Sequence, residues 1–364
     1  MNHRAITVVL TAGLVIAGCS SQGSITPTSE GTSGLPAITA NKSPKQATQA
    51  TLYVLNSSGG TSAVTVYSGN GRKLLRTISD EKPISGFTVD SAGHLYLGEP
   101  RNAAQPTGPA LLKVYAAGGK NVIRTIAQIH PFETFAVDST GNLFALCAAD
   151  RICEYASGRK PITRRLALRK LGGSATALAT DSAGDLAADS TYGPVLVFAP
   201  GSTTPYWTIP TTDGSSALGF DATGNLYVVN SGSNEGDAGS VTVYASGQSS
   251  PIRTITDGIV HPSAMAFDSS GNLYILNYCV PGSTSGCVPT PSVSVYTPGG
   301  TSPIRTITQG IAGVGGLTVS AEDILYVANS AASGTVTLYK EKSGVPSRTI
   351  SNGISDPVGI AVSP

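Results

Sequence analysis

Charge is scarce in this sequence, and what there is nearly cancels. Charged residues make up 12% of the 364, with 23 Lys plus Arg against 22 Asp plus Glu. The single excess cation is Arg4, so the chain beyond its first 18 residues is formally neutral. There is thus no general electrostatic reason to expect nucleic acid or an acidic membrane surface as a partner. A 3.6-residue apolar period is missing, which excludes helical solenoids. The apolar run from Ala5 to Gly18 falls short of the roughly 20 residues that span a bilayer. Also absent are a plausible Ser/His/Asp set, a zinc-spaced Cys/His cluster and a phosphate-binding loop. What remains is abundant Gly, Ser and Thr with enough β-branched and aromatic residues for a large sheet protein.

The first residues, MNHRAITVVLTAGLVIAGCSS, place Arg4 before that short apolar run, the pattern of a secretory signal peptide. Its end, Ile16-Ala17-Gly18-Cys19, resembles the bacterial lipobox. The resemblance implies cleavage after residue 18 and lipid acylation of Cys19, hence export and anchoring to the cell envelope. Ser20 follows the cysteine, and the lack of Asp there resembles the signal for the outer membrane of a two-membrane bacterium. Residues 20–50 hold almost no large apolar side chains, so 19–50 is expected to be the acylated cysteine and a flexible tether.

From residue 51 the chain repeats itself. One phrase starts at Val64, Leu112, Ile152, Val195, Val241, Val293 and Val336. Twelve residues on stand Arg76, Arg124, Arg164, Trp207, Arg253, Arg305 and Arg348. A second phrase sets Asp90, Asp138, Asp181, Asp221, Asp268 and Ser320 five residues before a leucine. Each unit of 40 to 52 residues contains four short β-rich runs, a to d, separated by turn residues, the pattern of a four-stranded antiparallel meander. The fold class is therefore all-β, a seven-bladed β-propeller over 51–364. TLYVLN (51–56) matches run b and DPVGIAVSP (356–364) matches run a, so the C-terminal strand is expected to complete the N-terminal blade and close the ring. In run a, bulky residues such as Met265 and Phe267 alternate with small ones such as Ala266, so each blade can press a bulky face onto a small one. The Asp-Ser-x-Gly-Asn stretches are expected to be Asx turns rather than calcium loops, since one carboxylate per turn supplies too few ligands. The arginines of Arg-Thr-Ile, on the outermost run, are expected to guard exposed sheet edges, as is the basic run from Arg159 to Lys170.

Phrases such as PSAMAFDSSGNLYILN and VTVYASG resemble the NHL-repeat and lactonase-like propellers, which include protein-binding modules, lactonases and lyases similar to virginiamycin B lyase. The resemblance covers about 51–364, specifies the fold and leaves the activity open.

Function is sought where the repeat breaks. From the b-run leucine to the start of c the spacing ranges from 9 to 20 residues, whereas the d-to-a spacing stays between 14 and 17. An up-and-down meander puts both connections on one face, which becomes the expected binding face for a protein, peptide or glycan. Binding-face candidates are Asn56, Glu99, Glu133, Asn230, Asn277 and Asn329; for the asparagines the plainer expectation is that they cap strands and start turns. An alternative reading, a metal-assisted lactonase or lyase using calcium or magnesium, would take Glu133 and His130 as an acid/base pair at the channel mouth. The favoured reading is non-enzymatic, needs no metal or other cofactor, and has the chain as a monomer. Four cysteines remain after Cys19, and export predicts the disulfides Cys147–Cys153 and Cys279–Cys287, each flanking one b–c connection.

Overall fold

The computed structural model describes residues 50–363, apart from 59–60, 81–82, 85, 101–109, 120, 130–133, 149, 160, 169–174, 190–192, 211–214, 233–237, 279–290 and 331–333. Over these residues the chain forms seven four-stranded antiparallel sheets, a seven-bladed β-propeller. In six blades the four strands follow in chain order; in the remaining one, blade 1, the C-terminal strand Pro357–Ser363 takes the inner place beside Thr51–Ser58, Thr61–Ser68 and Leu74–Asp80. Its register runs from Thr51 against Ser363 to Asn56 against Pro357. The ring is closed as the repeat count requires.

The core lies between blades. Each of the seven apolar clusters among the described residues joins two neighbouring blades. The inner strand of blade 6, Pro262–Phe267, shows why the large–small alternation matters. Met265 and Phe267 pack in the cluster shared with blade 5, while Ala264 and Ala266 pack in the cluster shared with blade 7. Gly219, on the inner strand of blade 5, is small for the same reason: a Cβ there would stand 2.6 Å from Met265 Cε, closer than packed atoms approach.

The a–b turns are Asx turns. In blade 6, Asp268 Oδ1 accepts the N–H groups of Ser270 (3.0 Å) and Asn272 (2.8 Å), while Oδ2 accepts from Asn272 Nδ2 (2.7 Å) and the Tyr274 hydroxyl (3.1 Å). Asp138 and Asp221 repeat the pattern with Asn142 and Asn225. In blade 2, His94 replaces the asparagine and its Nδ1 reaches Asp90 Oδ2 at 2.9 Å.

The repeated arginines are not edge guards. Arg253-Thr254-Ile255 has its isoleucine buried, its threonine exposed and its arginine partly covered, and the same pattern holds at Arg305 and Arg348. Side chains two apart share a face of a strand, so the arginine lies on the isoleucine's face, in the seam between blades. Arg253 Nη2 donates to the Tyr227 hydroxyl at 2.9 Å. Arg124 is only 7% exposed and lies over the Tyr155 ring of the next blade. Arg164 pairs with Glu154 and donates to the carbonyls of Ala199 and Ser202 in the next blade. The basic run is thus divided: Arg164 is folded inward, whereas Arg159 and Arg165 are exposed.

Candidate binding face

Because successive strands are antiparallel, the a–b and c–d turns share one face of the ring and the b–c and d–a connections share the other. The Ala50 carbonyl accepts the N–H of Gly69, in the c–d turn of blade 1, at 2.7 Å. The chain therefore comes into the ring on the face of uniform turns, opposite the irregular b–c loops.

On the irregular face, Asn277, Asn329 and Asn56 perform one task. Asn277 Oδ1 accepts the Val260 N–H (3.0 Å), and its Nδ2 donates to the Gly258 carbonyl and Ser294 Oγ, both at 3.1 Å. Asn329 does the same with Ala312, Gly310 and Thr337. Asn56 Oδ1 accepts the Ser355 N–H at 3.0 Å, and its amide donates to Thr65 Oγ1. Each side chain ties the connection arriving from the previous blade to a c strand, and all three are buried. Asn230 is half-buried, with its amide on Ser240 Oγ and Thr242 Oγ1. Glu99 is buried against Lys113. These candidates sit on separate blades. Glu133 and His130 lie outside the described residues, as do Cys279 and Cys287.

The junction of blades 5 and 6 adds two residues that the sequence reading did not single out for binding. His261 has φ 47° immediately before Pro262. Its N–H donates to the Ala238 carbonyl at 2.7 Å and its Nδ1 to the Ser231 carbonyl at 3.2 Å, so it grips both ends of the blade 5 loop. A carbonyl only accepts, which fixes the proton on Nδ1. The Tyr278 N–H bonds the His261 carbonyl at 3.2 Å, and the Tyr278 side chain is 43% exposed. Asp356-Pro357 in blade 1 repeats the geometry, with φ 47° and Ser57 as the donor. The repeated residue-plus-proline was the available signal for the turn, while the grip on a neighbouring loop depends on backbone groups that carry no sequence mark.

The Cys147–Cys153 disulfide is formed, with a Cα separation of 5.6 Å. The pairing passes from Ala148–Arg151 to Leu146–Ile152, so Cys147 is the extra residue of a β-bulge, a device that redirects a side chain. On the opposite face, blade 4 departs from the turn pattern. Asp185 stands where blades 3, 5 and 6 have asparagine and accepts the Tyr206 hydroxyl at 2.6 Å. Burial pushes the Asp181 carboxyl above its usual range, against the lowering by the Asp185 N–H that it accepts, while burial and the bond to Asp185 push the Tyr206 phenol up to about 12. No group of three or more His, Cys, Asp or Glu arranged to hold a metal occurs among the described residues.

The architecture defines a class, the seven-bladed β-propellers. Beyond that class, no protein-family model and no curated protein matches the chain.

Proposed function

We propose that this protein is an exported β-propeller, lipid-anchored to the cell envelope through Cys19, that binds a protein, peptide or glycan on its irregular b–c loop face. The observation that carries the reading is the opposition of the two faces: the segment leading to Cys19 meets the ring beside Gly69, and the connections of variable length join strand ends on the opposite face. A tethered body then presents its loops away from its anchor. The formed disulfide supports an oxidising compartment. Kinship with NHL-repeat and lactonase-like propellers belongs to the same proposal, supported by the four-stranded blades and the shared phrases. Because the amides of Asn56, Asn277 and Asn329 are engaged in joining blades, recognition falls to side chains such as Tyr278, whose aromatic face suits a sugar ring or an apolar side chain. Binding in this reading needs no metal and no nucleic acid, and the ring acts as a monomer.

The test uses the full chain expressed with its leader. Detergent phase partition should carry the wild type into the detergent phase and leave Cys19→Ser in the aqueous phase; wild type in the aqueous phase would remove the anchor. Binding to fractionated envelope peptides and glycans should weaken in Tyr278→Ala at unchanged melting temperature. A melting temperature raised by calcium or magnesium, with the rise lost in Glu133→Ala, would replace this reading with the metal-assisted lactonase or lyase.

A further inference from the structure

The chain is formally neutral beyond its leader, yet its charges are not spread evenly over the ring. On the face of uniform turns the c–d turns form the outer circle, since strands c and d are the outer pair of every blade. The c–d turns of blades 4, 5 and 6, residues 199–205, 245–251 and 297–303, hold no charged residue. Those of the other four blades hold cations. Arg72 and Lys73 in blade 1, Arg159 in blade 3, and Lys340 and Lys342 in blade 7 are all exposed. Two charged residues of these turns, Lys120 and Lys160, lie outside the described residues; both are basic, so neither offsets the sign. Apolar clusters join blade 7 to 1, 1 to 2 and 2 to 3, so the cations make one arc. Most acids in the turns of the same blades are occupied. Asp90 and Asp138 are buried in Asx turns, Asp323 is bonded to Ser269, and Glu341 lies 2.9 Å from Lys342, which leaves Glu322 exposed against the arc.

The tether enters this arc rather than the uncharged side. The Ala50 carbonyl holds the N–H of Gly69, and the Gly69 carbonyl accepts the Tyr326 hydroxyl of blade 7 at 2.6 Å. The segment coming from Cys19 therefore arrives in the seam between blades 7 and 1, with the cations of one blade on either side. The tether expected over residues 19–50 has a coil dimension of about 30 Å. The arc is thus confined within reach of the surface that holds the anchor, and a weak attraction is enough to seat it. We infer that this basic arc rests on the anionic headgroups of the membrane that holds Cys19, tilting the ring so that blades 4 to 6 stand off. The inference rests on the anchored reading above. Each Lys or Arg beside a negative bilayer adds an attraction that falls away within a Debye length. Exposed apolar side chains do not select this arc, because Leu75 and Val345 have counterparts in Ile252 and Ile304 on the uncharged side. Charge does select it. On that other side Asp181, Asp185 and Asp221 are half-buried in the a–b turns, where an anionic surface repels them, so the tilt has one direction.

The experiment takes the full chain, expressed with its leader, into two sets of vesicles, phosphatidylcholine alone and phosphatidylcholine with phosphatidylglycerol, and follows flotation and hydrogen exchange. The wild type should float with both sets, because the anchor needs no charge. Exchange in 69–73 and 340–345 should be at least about fivefold slower on the anionic vesicles, while 245–251 and 297–303 exchange alike on both. Salt at about 0.5 M should return the slowed turns to their rate on neutral vesicles. Arg72→Gln with Lys73→Gln and Lys340→Gln should do the same at unchanged melting temperature. Flotation with both sets and no difference between the turns would overturn the inference and leave the anchor standing. Flotation with the anionic vesicles only would remove the anchor and uphold the arc as a membrane-binding surface, and flotation with neither would overturn both. Slowed exchange of the same turns with soluble polyglutamate, and none on anionic vesicles, would make an acidic protein the occupant and overturn the inference.

Discussion

At the residue scale, this ring separates glycines needed for backbone freedom from glycines needed for space. Gly224, in the a–b turn of blade 5, has φ +80° with nothing within 4 Å of a hypothetical Cβ. Gly315 is the opposite case: a Cβ would overlap the Pro357 carbonyl oxygen of the neighbouring inner strand. Gly224→Ala is therefore expected to cost about 1 kcal/mol from backbone strain, and Gly315→Ala about 3 kcal/mol or more, since the inner strands of blades 7 and 1 must part. Denaturant midpoints of the two variants would check the ordering, and equal losses would contradict the crowding at the centre. Asp323 shows the converse, a side chain tolerated where other blades use glycine. At φ 56° its carboxylate accepts both the N–H and the hydroxyl of Ser269 at 2.8 Å, linking the turns of blades 7 and 6. Asp tolerates that region better than most residues, and the bond across the seam offsets the remaining strain.

At the element scale, tyrosines on strands b and c join each blade to its surroundings. Tyr274 donates to the turn carboxylate of Asp268, while Tyr296 and Tyr339 donate to the carbonyls of Asp257 (2.8 Å) and Gln309 (2.6 Å) in the connection from the previous blade. Burial raises the phenols of Tyr274, Tyr296 and Tyr326 to about 12. In the unfolded chain a tyrosine ionises near 10. A folded value above the unfolded one means the native state holds its protons longer, so stability is full below about pH 10 and is lost as pH rises toward about 12. Alkaline titration should therefore show the phenolate absorbance of these tyrosines and the loss of β-sheet circular dichroism arriving together. Their ionisation near pH 10 with the sheet signal intact would show that the hydroxyls are not held.

Much of this scale was legible in the sequence. The constant offsets fixed strand order, turns and blade number because each unit repeats one local solution to the same packing problem. The arginines were misread because an offset gives a residue's strand but not its face. The isoleucine two positions on, apolar in every unit, was the signal that the arginine shares its inward side. The asparagines' double role was out of reach, since their partners are backbone groups of another blade. Glu133, His130 and the Cys279–Cys287 pair fall outside the described residues, so that part of the site stays as the sequence reading left it.

At the scale of the whole molecule, stability belongs to the ring rather than to its blades. Every apolar cluster among the described residues is shared by two blades, so removing one blade leaves two faces unburied. Blade 1 is where this dependence concentrates, because its inner strand comes from the other end of the chain and its registry with Thr51–Asn56 is what seals the circle. Deleting 357–363 would uncover the edge of Thr51–Ser58 and strip Ile360 from the cluster shared with blade 7, and no cooperative monomeric unfolding should then remain. That result alone would not distinguish closure from the loss of any buried strand. A circular permutant does: Ser363 joined to Thr51 by an Asp-Ser-Ser-Gly-Asn turn like those of other blades, with new ends opened at Ala222–Thr223 in the exposed turn of blade 5. The same blades and seams are kept while the closing strand moves to blade 5, so the permutant should melt cooperatively within about 5 °C of the wild type. Deleting its new C-terminal strand, Ser215–Phe220, should then be as damaging as deleting 357–363 is in the natural order. A permutant that folds yet tolerates that deletion would show that the stability of the ring resides in blade 1 itself and not in the act of closing it.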